Sequence, residues 1–320
     1  RAIVKQGLKV LKKRSNLGLK TLYDLCQIES QPTTYDLGFA LGPRINAGGR
    51  VGKSSHGVNL LISDDPKKTY QIALDLEKYN QERKSIEFIL SEKIHSEVKN
   101  FHNYPVLVLS GNNWHEGVIG IVAARIKEKY NKPTILISLD NKLGKGSARS
   151  VFGFDIGKQI IKASQLGILK KGGGHKMAGG FTIEKEKIDL FREFLIKNFI
   201  KTKIDSSENL NIHLDSVIAP SALNEEFYEN INSLGPFGSG NSEPKFVIEN
   251  LKVIRSDIIK NNHIKLLLCG KDGSVFKSFA WNAINSPLEG YLNKKNNKIF
   301  SAVGKIKLNE WRGKKNIEFI

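Results

Sequence analysis

The chain has 320 residues and carries 50 Lys and Arg against 32 Asp and Glu, a net charge of +18 with a pI near 9.7. So basic a balance points to a polyanion as partner, and no apolar run approaches the roughly 18 residues a membrane-crossing helix needs. The length exceeds what one core usually supports, so two or three domains are expected.

The charge is segregated. Residues 1–20 carry +7, 121–180 carry +9 and 251–320 carry +9, while 181–250 carry −5. Cys26 and Cys269 stand alone in unlike surroundings and are expected to fill apolar sites rather than pair or hold a metal. With no signal peptide visible, a cytoplasmic chain is expected. It begins with Arg1, and Met177 is its sole methionine, so a processed chain or a piece of a longer one is expected.

Residues 64–100 read as one long helix. Asp64 and Asp65 offer a cap, Pro66 suits the first turn, and Ile72, Leu76, Tyr79, Ile86, Leu90, Ile94 and Val98 recur at helical spacing. At 1.5 Å per residue it runs roughly 50 Å, the length of a strut between domains. Its Glu77, Lys78, Glu82, Arg83, Lys84 and Glu87 are expected to form a solvated face.

Val106–Leu109 is an apolar run suited to a buried strand, residues 111–117 a loop, Val118–Tyr130 a helix and Thr134–Ser138 a second strand. Strand, helix and strand within about thirty residues make a βαβ unit, whose ligands sit at the carboxyl ends of the strands. His115 and Glu116 fall there, at a helix start that favours anions. The alternative is that Trp114 packs on the sheet and His115 only caps the helix.

Lys145–Ser150 reads as a short strand placing Ser147 and Arg149 on one face, either as a phosphate clamp or as plain polar surface. A helix is expected over Phe154–Leu166. Beyond it, Gly172–Gly180 packs five glycines around His175. Consecutive amides turned inward by positive φ would make an anion cradle, with His175 donating to a phosphate. A glycine-rich hairpin is the plainer reading.

A last domain is expected from near residue 204, with Lys245–Ile248, Lys252–Ile254, Ile264–Leu268 and Lys277–Trp281 as strands of a small barrel. Its lysines, with Phe279, Trp281 and Trp311, could supply the basic groove and stacking faces that single strands require, or the aromatics could be core.

Several of these segments resemble successive motifs of the RecJ family, single-strand-specific 5′-to-3′ DNA exonucleases of the DHH/DHHA1 phosphoesterase superfamily. They are Leu37–Arg50, Trp114–Ile121, Gly146–Ser150 and Gly172–Gly180, then Leu234–Pro244 and Asn309–Gly313 around the family's OB-fold. The resemblance implies an α/β DHHA1-type domain with a long connecting helix, followed by an all-β OB-fold-like domain. It divides the chain into 1–63, the tail end of a DHH domain; 64–100, the connecting helix; 101–203, the DHHA1 domain; and 204–320, the OB-like domain.

The family's metal-binding motifs have no counterpart here: no two histidines are adjacent, no Asp-x-Asp occurs, and His56, His95, His102, His115, His175, His213 and His263 are isolated. The resemblance therefore implies Mn²⁺ or Mg²⁺ for the complete enzyme and none bound by this chain, which would be inactive alone. It assigns substrate and phosphate binding to Arg44, Asn46, Arg50, His115, Ser147, Arg149, Gly173, Gly174 and His175. The implied partners are single-stranded DNA with a free 5′ end, the DHH catalytic half and single-strand-binding protein. A non-catalytic single-strand-binding accessory protein and an oligonucleotide phosphodiesterase are the alternatives.

Overall fold

The computed structural model describes residues 1–101, 103–202, 211–292, 298–311 and 314–320. His102, the boundary expected near residue 204, and Arg312 and Gly313 lie outside the described residues, as does the side chain of Trp311. The chain divides into two compact units, Leu11–Leu210, and Arg1–Val10 together with Asn211–Ile320.

The helix α1 (Ala2–Lys12) buries none of its residues. In the larger unit, α2 (Leu17–Leu25) starts at Asn16, whose side chain accepts from the Leu19 amide. A π-helical turn over Asp36–Leu41 feeds α3 (Gly42–Val51), and α4 (His56–Ile62) follows. The long helix α5 (Pro66–Val98) begins as its sequence dictates, with Asp65 accepting from the Lys67 and Lys68 amides and Pro66 in the first turn. Its first half packs Ile72, Ala73 and Leu76 against Leu22, Tyr23, Leu41 and Leu60; its second half packs Leu90, Ile94 and Val98 against the sheet domain.

That domain is a five-stranded sheet of β1 (Leu107–Asn112), β2 (Thr134–Asp140), β3 (Leu143–Arg149), β4 (Lys171–His175) and β5 (Ala178–Glu184). The order is β1-β2-β3-β5-β4, with β1 and β2 parallel and the remaining pairs antiparallel. On one face α6 (Glu116–Tyr130) buries Val118, Val122, Ala123 and Ile126 with the end of α5. On the other, α7 (Ile156–Gln165) and α8 (Ile188–Lys201) enclose Ile135, Ile137, Phe154, Ile160, Phe181 and Phe191. Covered on both faces, the parallel pair β1 and β2 is rich in Val, Ile and Leu, as such strands require.

One expectation fails on α5. Arg83 and Glu87 are buried rather than solvated, and Asn80 with them. Arg83 bonds both Asn80 and Glu87, and Glu87 also meets Arg125 of α6. A charged side chain enters the interior only when paired, and these are paired with one another.

The second unit is a curled, mixed half-barrel consistent with an OB fold, made of β6 (Ser216–Val217), β7 (Phe246–Ile259), β8 (His263–Cys269), β9 (Val275–Ala280), β10 (Phe300–Gly304), β11 (Ile306–Trp311) and β12 (Lys314–Phe319). The helices α9 (Glu225–Ser233) and α10 (Glu289–Leu292) accompany it. Ile248, Leu251, Ile264, Leu266, Leu268, Phe276 and Phe319 fill its inside. The two short strands expected over 245–254 are one, β7, which bends at the left-handed Asn250 (φ 57°) and shifts register between Val253 and Arg255. Such a bulge is how a long strand curls into a barrel.

Candidate nucleic-acid interface

The register of β3, β5 and β4 sets side chains from three strands on one face. Three rows cross the sheet: Lys145, Thr182 and Lys171; Ser147, Gly180 and Gly173; and Arg149, Ala178 and His175. Directly paired residues share a face. The face is fixed by α6, because a Cβ on Gly120 would lie 2.9 Å from Ser147 Oγ and 3.0 Å from an Arg149 guanidinium nitrogen. The patch is about 10 Å by 14 Å on strand geometry, with lysines along one end, Arg149 and His175 along the other and bare glycine between. Nothing stands within 4 Å of where a Gly173 side chain would be.

The opposite face of the same glycine segment is closed. Gly157 of α7 sits against it, and a Cβ there would come 2.8 Å from the His175 backbone nitrogen and oxygen. Gly174 and Gly179 thus admit a helix, while Gly173 and Gly180 leave a floor. The segment is a flat hairpin with no positive φ among its glycines, so the inward-turned amide cradle expected from its composition does not form.

Each polar group around the floor is held from behind. Arg149 donates to Ser147 Oγ at 3.2 Å and to Ala148 O at 2.8 Å, on a strand flanked by two others. Burial pushes the Arg149 pKa down, and the neighbouring Arg50 guanidinium pushes it further. Arg50 ends α3 and donates to Gly117 O at 3.1 Å. Among the described residues neither arginine forms a salt bridge. Two guanidiniums side by side, one half-buried and neither bridged to a carboxylate among the described residues, are groups that an anion would neutralise.

The two histidines are set alike. His115 caps α6, its Nδ1 accepting from the Gly117 amide at 3.2 Å, while Trp114 is buried. His175 Nδ1 accepts from the Met177 amide at 3.3 Å across the tip of the hairpin. With Nδ1 accepting, a neutral ring carries its proton on Nε2, so both rings turn an N–H donor outward. Lys145 is engaged with Glu116 at 2.7 Å.

The other expected residues divide. Asn46 is exposed one helical turn before Arg50 on α3 and shares its side of the helix. Arg44 is turned elsewhere, bonded to Glu77 and donating to Ala40 O at 2.8 Å. Gly174 faces α7 rather than the floor. Lys145, Lys171, Thr182 and Gly120 join the site without having stood out in the sequence. The period of two in β3 could have drawn in Lys145, but Lys171 and Thr182 depend on a register that only folding reveals.

Residues 103–201 match the DHHA1 domain family and residues 214–320 the RecJ OB domain family. The single-stranded-DNA-specific exonuclease RecJ of Haemophilus influenzae is 34% identical over 337 residues, covering 100% of this chain and 57% of that protein. The chain belongs to the RecJ family. The Bacillus subtilis RecJ is 29% identical, covering 98% of this chain and 40% of its own length. A crystal structure of RecJ from Thermus thermophilus in complex with Mn²⁺ has the same fold, with a TM-score of 0.81 at 24% identity over 100% of this chain and 45% of that one. The chain thus spans about half the length of the RecJ proteins it matches.

The metal that accompanies that RecJ structure finds no fitting donor set among the described residues. No three His, Cys, Asp or Glu side chains are grouped to hold an ion. His115 and His175 each spend one ring nitrogen on a backbone amide. What this RecJ-family chain offers instead is arginine, hydroxyl and imidazole donors, the chemistry of anion binding.

Proposed function

We propose that this chain is the strand-holding portion of a 5′-to-3′ single-stranded-DNA exonuclease of DNA repair and recombination, working in the cytoplasm. The carrying observation is the Arg50 and Arg149 pair, with no carboxylate bridged to either among the described residues, beside the glycine floor. A terminal phosphate resting on Gly173 and Gly180 would meet the Arg149 fork, Ser147 Oγ and the Nε2–H of His175, with Arg50, Asn46 and His115 bordering it. Donors fixed from behind bind an oxyanion without first being ordered.

The titles of the Thermus structures name Mn²⁺ and Mg²⁺, and the complete enzyme would use one of these on residues outside this chain. No step of hydrolysis is assigned to the donors described above. The half-barrel would track the rest of the strand. On its outer face β8 and β9 pair Lys265 with Phe279, the His263 and Trp281 rings meet beside them, and Lys277 lies on the same face. Trp281 is 59% exposed and packs on Phe279 at 4.5 Å and His263 at 4.8 Å, an arrangement suited to base stacking beside phosphate contacts. The partners would be DNA with a free 5′ end, the DHH half and single-strand-binding protein.

The test is reconstitution. The purified chain with Mn²⁺ or Mg²⁺ is mixed with 5′-labelled single-stranded DNA, with and without a separately produced DHH half. Nucleotide release only on mixing is expected. Tight binding with no release in either case would instead favour a non-catalytic accessory protein.

A further inference from the structure

The buried polar cluster on α5 takes no part in the clamp. Asn80, Arg83 and Glu87 are 1%, 8% and 1% exposed. Arg83 donates to Asn80 Oδ1 at 2.7 Å and to one Glu87 oxygen, and the other Glu87 oxygen lies 2.5 Å from an Arg125 guanidinium nitrogen on α6. Burying such a pair gives no general gain in stability over apolar side chains of the same volume. Its value is better sought in what it fixes.

Three contacts locate it. Beside Asn80, the Tyr79 ring packs at the end of α3, where a Cβ on Gly52 would come within 2.4 Å of it. Two turns further on, Glu87 grips α6 through Arg125. Where α3 and α6 themselves touch, a Cβ on Gly117 would meet Arg50 O at 2.2 Å, and Arg50 donates to Gly117 O. The three helices close a triangle whose α3–α6 corner presents Arg50 and His115. The α5–α6 side is packed through Leu90, Ile94 and Val98, and the Glu87 carboxylate is its charged tie.

We infer that Glu87 is a positioning residue: within the apolar contact of α5 and α6 its pairing with Arg125 fixes where α6 sits along α5, and so sets the spacing of Arg50 and His115 from Arg149 on β3. The inference rests on the phosphate-clamp reading. A purely electrostatic role predicts the opposite outcome, because two arginines share one carboxylate. Neutralising Glu87 would add positive charge near the clamp and tighten phosphate binding, whereas lost spacing weakens it.

The experiment compares 5′-phosphorylated with 5′-hydroxyl oligothymidylate of one length, by fluorescence anisotropy, on wild-type chain, Arg83→Met/Glu87→Met and Glu87→Gln, with thermal unfolding of each. The double variant removes both buried charges together but leaves Asn80 Oδ1 without its donor, and is expected to unfold within a few degrees of the wild-type temperature. Its preference for the phosphorylated end should fall about tenfold, the worth of one charge-assisted hydrogen bond, with affinity for the hydroxyl end unchanged. If the double variant does not fold, Glu87→Gln carries the same comparison. A folded variant that keeps or strengthens the wild-type preference overturns the inference and leaves the clamp standing. A wild-type chain with no preference overturns the clamp reading, and this inference with it.

Discussion

Gly120→Ala separates binding from stability at the floor. A methyl group there would lie 2.9 Å from Ser147 Oγ and 3.0 Å from an Arg149 nitrogen, so both must give way. Neither is backbone. Ser147 can turn about χ1 and the Arg149 guanidinium is the far end of a flexible chain, movements costing about 1 kcal/mol. Against this, alanine in a helix interior is favoured over glycine by about 1 kcal/mol. The two nearly cancel, and thermal unfolding should move by only a few degrees. The 3.2 Å bond between Arg149 and Ser147 does not survive the displacement. If these two groups hold a 5′-phosphate, affinity for phosphorylated ends should fall about tenfold or more, since hydrogen bonds to charged groups contribute about 1.5–3 kcal/mol each. Anisotropy titration on phosphorylated and hydroxyl-ended strands reads the effect. A stable Gly120→Ala chain with wild-type phosphate preference would refute the assignment of Ser147 and Arg149.

Three further outcomes are expected. Arg149→Ala and His175→Ala should each weaken capture of a 5′-phosphorylated end while leaving hydroxyl-ended strands unaffected, and equal losses on both ends would show general attraction instead. Lys265→Ala and Lys277→Ala, on the outer face of the half-barrel, should weaken binding of both strands alike and reduce the slope of log K against log salt by about 0.7 per lysine. An unchanged slope removes that lysine from the strand path. His95, bonded to the Tyr130 hydroxyl at 3.2 Å, has its pKa lowered by burial and then by Lys129. The unfolded chain therefore binds the proton more readily, so stability should decline as pH falls through the ordinary histidine range of about 6.5. His95→Gln should flatten that decline, and an unaltered pH profile of unfolding would exclude His95 as its source.

Where local rules decide structure, the sequence was readable. Asp65 and Pro66 mark the start of α5, Asp155 caps α7 by accepting from the Lys158 amide, and the apolar runs at 107–109 and 134–137 are β1 and β2. Charge on a helix was not readable. Asn80, Arg83 and Glu87 continue the three-four spacing from Leu76 to Leu90, so it is the charge of Arg83 and Glu87 that pointed to solvent, and their pairing with each other and with Arg125 of α6 is what makes burial tolerable. Gly42–Val51 was not readable either: it holds Pro43 and two further glycines, Gly48 and Gly49, yet the segment is helical because it packs along α5. At the site, a period of two predicts that Ser147 and Arg149 share a face. It cannot say that His175 joins them, since that depends on Arg149 and His175 both opposing Ala178.

The glycine segment shows how composition misjudged the form of the expected cradle. Two demands meet on β4 and β5. On one side α7 comes so close that Gly172 and Gly179 meet Ile160 and leave no room for side chains, and on the other the proposed clamp needs a surface that nothing covers. Strand alternation assigns successive glycines to these two jobs, so a run of them is required whatever their φ. The resulting floor supplies shape rather than donors. The donors must come from its border, where Arg149 and His175 are each tied down by a bond to a neighbouring hydroxyl or amide. A floor without donors and a border without freedom favour one well-placed anion over many weakly held ones, as recognition of a strand end requires. A basic surface built for the length of a strand would instead spread exposed lysines, the arrangement that Lys265 and Lys277 have on the outer face of the half-barrel.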